Sequence, residues 1–242
     1  MKNIKHLIII SSTLVIIALI LGTSFKNAFN HINSIKVTGS AKRDFISDVI
    51  VWNGSFRTKK VDMESAYQKL DKDKEIIIEY LKDNNVPIGD VMFSSIDIKK
   101  EYDNKTDRDG IRTKEFSGYN LTQNFKIESS AVNEIENLSR DITSLIDKNI
   151  EVQSYQPYYF YSKLSDLKIN MISEATKNAS IRAERIAENS QSILGKLLDA
   201  KMGVFQITAK HSTESYSWGG THNKTSKNKT ANVTMKLSYG VQ

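Results

Sequence analysis

From Ala231 to Val241 every second residue is apolar or aromatic: Ala231, Val233, Met235, Leu237, Tyr239 and Val241. Asn232, Thr234, Lys236 and Ser238 fill the gaps. A period of two is the period of a strand with one covered face, and no helix can use it. Ile35, Val37, Gly39 and Ala41 repeat the pattern near the front of the chain. Asp48–Phe56 is apolar on both sides at first, which predicts an inner strand paired to the one before it. Val91–Tyr102 and the alternating run Tyr119, Leu121, Phe125 and Ile127 read as a hairpin around the polar turn "DNKTDRDG", 103–110. Glu151–Tyr161 and Lys201–Thr208 complete the predicted strands.

Between them the period changes to that of a helix. Ala66, Leu70, Ile77 and Leu81 mark a helix over Asp62–Asp83, ended by Asn84-Asn85. Val132, Ile135, Leu138, Ile142 and Leu145 mark a second over Ala131–Asp147. A third is expected over Ser165–Asp199. The order ββ-α-ββ-α-β-α-ββ predicts an α+β fold, with antiparallel sheet built from hairpins and helices on one face. With only two prolines, Pro87 and Pro157, no Pro-rich linker divides the chain. One domain is expected over 34–242, after a short linker, 26–33.

The third helix carries "IRAERIAENS", dense in charge. At 100° per residue from Ala175, the residues Ile193, Ile186, Ala179, Ile172, Ala183 and Ala187 fall on one arc of about 0–120°. Lys177, Glu184 and Glu188 lie opposite. Arg182 lies near −20°, at the edge of the apolar arc, with Asn178 and Ile186 as its i±4 neighbours. No carboxylate on that side of the helix can pair with it. It is therefore a candidate structural or binding residue, one that snorkels or finds a distant partner. The small faces of Ala175, Ala179, Ala183 and Ala187 predict close packing against a backbone.

"MKNIKHLIIISSTLVIIALILGTSF" (1–25) has a positive start and an apolar run, followed by small residues. It reads as a signal-anchor or a cleaved signal peptide, with the remainder outside the cytoplasm. Of the net charge of +6, residues 1–6 hold +2 and Ala209–Thr230 hold +3, leaving +1 for everything else. A nucleic-acid interface needs a basic face on the folded body, so no nucleic-acid partner is expected. The absence of cysteine excludes disulfides and thiolate chemistry.

No phosphate-binding, hydrolase or zinc-protease motif is present. His211 and His222 share one loop but fall short of a ligand set. No catalytic residue, cofactor or metal is assigned. Tyr155, Tyr158, Tyr159 and Tyr161, in "YQPYYFYSKL", and Trp218 are candidate interface residues, because such rings join a large apolar face to a polar tip.

"VTGSA" (Val37–Ala41), "RAERIA" (Arg182–Ala187), Leu194-Gly195 and the alternating last strand occur in that order. Together they resemble the SIMPL-domain (DUF541) family, over about 34–242. In many of its members a glycine stands where this chain has Gln191. The resemblance implies an α+β domain exported to the cell envelope or periplasm, with oligomeric rings in some members and loose links to envelope and oxidative stress. The expectation is a non-enzymatic envelope protein that forms a homo-oligomer or binds a partner, held to the membrane by its N-terminal segment. The alternative is a solute-binding protein or enzyme with a pocket between sheet and helices.

Overall fold

A computed structural model describes residues 12–22, 33–106 and 112–241. Residues 12–22 form a helix, α1. The rest of the predicted membrane segment, most of the linker and part of the 103–110 turn lie outside the described residues. No helix among the described residues is long and apolar enough to cross a membrane.

The fold is α+β. Its strands are β1 (Ser34–Ile46), β2 (Val49–Lys60), β3 (Val91–Phe93), β4 (Asp97–Thr106), β5 (Arg112–Ser129), β6 (Glu151–Ser154), β7 (Tyr158–Phe160), β8 (Leu194–Met202), β9 (Gln206–Ala209), β10 (Thr221–His222) and β11 (Asn228–Val241). Helices α2 (Met63–Asp83), α3 (Val132–Asp141) and α4 (Leu164–Asn189) separate them, and a 3-10 stretch, Ile142–Lys148, extends α3. Two sheets form. One has the order β3-β5-β2-β6, with β4 also on β5 and β7 also on β2. The other has the order β1-β11-β9-β10, with β8 also on β11. Pairing is antiparallel wherever its direction is resolved, except between β9 and β10.

The expected β1–β2 hairpin does not form. β2 takes β5 on one side and β6 and β7 on the other, while β1 takes β11. The connection Ser47-Asp48 switches sheets: Ser47 N donates to Lys227 O at 2.9 Å and Asp48 N to Phe160 O at 3.0 Å. Adjacency in sequence suggests pairing, but β5 occupies one edge of β2 and β6 and β7 occupy the other, which leaves β1 to pair elsewhere. The predicted strand 151–161 is two short strands divided at Pro157, because proline has no N–H for the ladder.

The third helix ends at Asn189, ten residues earlier than expected, and Leu194–Met202 is a strand. Gln191 stops the helix with φ of 54°. Ser192 N bonds Ala187 O at 3.0 Å, and Gln191 N bonds Glu188 O at 3.2 Å. These two bonds and a left-handed residue are a Schellman cap, and glycine suits that φ best. Asn85 ends α2 with φ of 61°, and Asn149 ends the 3-10 stretch with φ of 57°, each with the same pair of bonds.

The chain divides into two compact units, which β1, β11 and α4 both enter. The larger takes Lys42–Met171 and Val204–Asn232. Its core sets α2 and α3 on the sheet of β2 and β5, through Leu70, Ile77, Leu81, Ile135 and Leu138 against Ile50, Trp52, Phe56, Leu121 and Phe125. Asp62 caps α2 by accepting from Ser65 N at 2.8 Å. Trp52 meets Phe125 edge to face at 5.3 Å.

The smaller unit holds Ala41 and the described residues before it, Ile172–Gly203 and Val233 onwards. Ala175, Ala179, Ala183 and Ala187 are buried along α4, as are Val37, Val233 and Leu237 in the sheet. The buried stripe is narrower than the predicted arc: Ile186 is 47 % exposed, and Ile193 lies beyond the end of α4. Only the i, i+4 alanine row is small enough to approach β1, which leaves the larger Ile186 at the flank. At Gly39 a Cβ atom would collide with Ala175 O and Ala179 N, and would lie 2.7 Å from Ala179 Cβ.

Gly39→Ala should therefore lower stability by about 3 kcal/mol, because helix backbone cannot yield as a side-chain tip does. Urea midpoints of the two proteins measure this, and an unchanged midpoint would contradict the close approach.

Candidate functional site

Glu136 of α3, Tyr159 of β7 and Lys227, just before β11, meet at one polar cluster. Lys227 Nζ lies 2.5 Å from Glu136 Oε2 and 3.1 Å from Asn133 Oδ1. Arg140, one turn along α3, reaches Glu136 Oε1 at 2.7 Å. The Tyr159 phenol lies beside the Glu136 carboxylate. The Lys227 hydrogen bond is the largest influence holding the Glu136 carboxyl below its ordinary range. Burial, then the Glu136 charge, pushes the Tyr159 phenol up. The carboxylate thus stays ionised and the phenol neutral, so charge is locked rather than poised for proton transfer near pH 7.

Beside this cluster opens a groove of about 430 Å³, with Ser139, Ser154, Tyr155, Gln156 and Thr225 among its lining. Ser139 Oγ donates to Glu136 O at 2.7 Å, and Ser154 Oγ to Ser139 O at 2.5 Å. Trp52 Nε1 donates to Ser154 Oγ at 2.9 Å. Both hydroxyl protons are committed to backbone carbonyls, and no hydrogen bond among the described residues joins either hydroxyl to a side-chain base. What the groove offers a ligand is the Tyr155 ring, the Gln156 amide and the fixed charges at its rim.

Lys229 is 1 % exposed, and its Nζ donates to Tyr159 O at 2.5 Å. Burial pushes its pKa down to about 8. The position was readable in principle: Lys229 shares the odd phase of Ala231 and Val233, two residues before the predicted strand began. Lys227 and Glu136 carried no such signal, since they come together across 91 residues of chain.

Arg182 is exposed, and its guanidinium donates to Thr38 O at 3.0 Å. Asn178, one turn earlier, accepts from Ser40 N at 3.3 Å. Val241 N donates to Asn33 O at 2.9 Å, so odd residues of β1 face β11 and even residues face away. Thr38 and Ser40 are even. Two side chains of α4 therefore cap the outer edge of β1, and this is the distant partner that Arg182 needed. Such caps block an unpaired edge from taking up a foreign strand.

The candidate interface residues separate. Tyr155 and Tyr158 are exposed, and the Tyr155 hydroxyl lies 3.2 Å from Ser55 Oγ. Tyr159 does not reach the surface, being 6 % exposed. Its strand neighbours alternate with it, so only every second tyrosine of the run can face outward. Tyr161 is half-buried and packs on Phe45, with ring centroids 5.0 Å apart. Trp218 is fully exposed. Its loop is pinned by Gln206, whose amide donates to Ser217 O at 2.7 Å and accepts from Thr221 N at 2.8 Å. His222 is pushed below its ordinary pKa by burial first and then by Lys229. Among the described residues no three acidic, histidine or cysteine side chains could jointly hold a metal ion.

The unfolded chain keeps the Lys229 proton up to the usual 10.5, and the folded chain releases it near 8. Between those values the unfolded state binds more protons, so this group makes the fold more stable as pH rises. Below pH 8 the full cost is present. Lys229→Met should remove that rise and stabilise the protein at pH 7 by about 1–3 kcal/mol. Urea denaturation of both proteins from pH 7 to 10.5 checks this. Arg182→Ala should leave the fold intact and cost about 1 kcal/mol in the same assay.

No curated protein matches the chain. A family model described as a protein of unknown function (DUF541), SIMPL, matches residues 35–239, nearly the whole of the described fold. The chain belongs to the SIMPL (DUF541) family.

Proposed function

We propose that this protein is a non-enzymatic component of the cell envelope that works by self-assembly or partner binding. One observation carries the reading. Among the described residues β8 has a single strand neighbour, β11, and it bears Leu197, Leu198 and Met202 at 50, 48 and 54 % exposure. A strand with one neighbour and bare apolar side chains is an unfinished interface in water. Exposed Tyr155, Tyr158 and Trp218 add aromatic surface of the kind that interfaces use.

Placement in the envelope is supported by the positive, apolar N-terminal segment. Its described part, α1, exposes Leu14, Val15, Ile16, Ile17, Leu19, Ile20 and Leu21. A helix apolar all round needs apolar surroundings. The proposed arrangement is a membrane tether with the remainder outside the cytoplasm, in the periplasm or at the cell exterior. The committed hydroxyls and locked charges beside the groove favour a non-enzymatic role.

The groove supports a second reading, as a binding site for a small polar solute stacked on Tyr155. A ligand whose thermal stabilisation of the protein disappears in Tyr155→Ala would favour it.

Sedimentation of the full chain in detergent, with the detergent mass subtracted, tests the first reading. The expected result is a species of at least two chains that dissociates on dilution. A monomer at every concentration overturns it.

A further inference from the structure

The sheet of β1, β11 and β8 treats its two edges differently. The β1 edge is capped by Arg182 and Asn178. No side chain among the described residues caps the β8 edge. We infer that β8 is the site at which a second copy of this chain adds, strand to strand and antiparallel, about a two-fold axis at Ala200. This rests on the assembly reading above and names its surface and partner.

The backbone sets which groups are free. Gly203 N donates to Thr234 O at 2.8 Å. The ladder continues as Met202↔Met235, Lys201↔Lys236, Ala200↔Leu237 and Asp199↔Ser238. By alternation Lys201 and Asp199 turn their N–H and C=O groups towards β11, and Met202 and Ala200 turn theirs outward. Ala200 is thus a free donor and a free acceptor at the centre of the regular part of the strand. The register is irregular only beyond Asp199, towards Leu197 and Leu194.

The side chains set the partner. Two strands side by side in one sheet can be related by a two-fold axis only if the axis stands normal to the sheet. Each residue then faces one of equal parity in the second copy. Centring on Ala200 places Ala200 against Ala200 and Asp199 against Lys201 twice, with Met202 on the Ala200 face; Leu198 stands where the register shifts between Asp199↔Ser238 and Leu197↔Tyr239. Opposite charges meet on one face and apolar side chains on the other. Ala200 and Met202 lie on the face of their ladder partners Leu237 and Met235, which are buried. The added copy would therefore continue an apolar face already begun. Asp199 and Lys201 are exposed and have no ion-pair partner within the chain among the described residues.

The chain has no cysteine, so one introduced thiol reports one position. The two Ala200 Cα atoms would lie about 5.5 Å apart, within disulfide range. In the full chain in detergent, Ala200→Cys should form a disulfide-linked dimer on mild oxidation, and Lys236→Cys should not. Asp199→Lys should weaken the dimer about 10-fold by setting like charges opposite one another. Exchanging the pair, as Asp199→Lys with Lys201→Asp, should restore it. Equal cross-linking at both cysteines, or an assembly insensitive to Asp199→Lys, overturns the β8 interface and leaves the assembly reading standing. Loss in the single variant without rescue in the exchanged one overturns the two-fold register. A monomer at every concentration in the unmodified chain overturns both.

Discussion

The smaller unit depends on one close approach, that of α4 to β1 at Gly39. A side chain there would occupy the space of Ala175 O and Ala179 N. Backbone packs against backbone, and the alanine row exists to allow it. Once α4 lies this close, Asn178 and Arg182, three and seven residues beyond Ala175, can reach the edge groups of β1. Arg182 is thus an edge guard whose position follows from the packing. Glu184 and Glu188 face solvent, and Glu188 pairs only with Arg185 at 2.8 Å.

The larger unit is organised differently. Its apolar core is continuous, and charge enters it at Asp73 of α2, which pairs with Lys69, and at a corner formed by α3, β7 and the residues before β11. There Lys227 and Arg140 neutralise Glu136, and the Lys229 ammonium has the Tyr159 carbonyl as its one hydrogen-bond partner among the described residues. A buried ammonium held this way costs stability, so this corner is held together against a penalty. The same corner ties β7 to the residues leading into β11, through Tyr159 N and Lys224 O at 2.7 Å. Its ion pairs give geometry to the groove edge more than net stability.

Strand and helix periods located most elements, because each is a local consequence of which residues meet solvent. α2 runs from Met63 to Asp83, one residue short of the predicted span at its start, and stops before Asn84 as its stop residues foretold. Strand partnership was not legible. β1 and β2 are neighbours in sequence and belong to different sheets, because pairing is decided by which edges remain to be covered. Leu194–Met202 has residues fit for a helix or a strand, and its pairing with β11 decided the matter. Arg182 could be singled out from its angle on the helix, but its acceptor is a carbonyl 144 residues away, which carries no side-chain signature.

By itself the sequence determined the alternating strands, the amphipathic helices, the small face of α4 and the family. These follow from residue size and polarity at fixed spacing along the chain. Tertiary structure alone decided that β1 and β2 part, that Tyr159 turns inward, and that one sheet edge is capped while another is bare. Each of these turns on which distant backbone groups and side chains compete for the same hydrogen bonds and the same cover from water. That competition exists only when the elements are assembled.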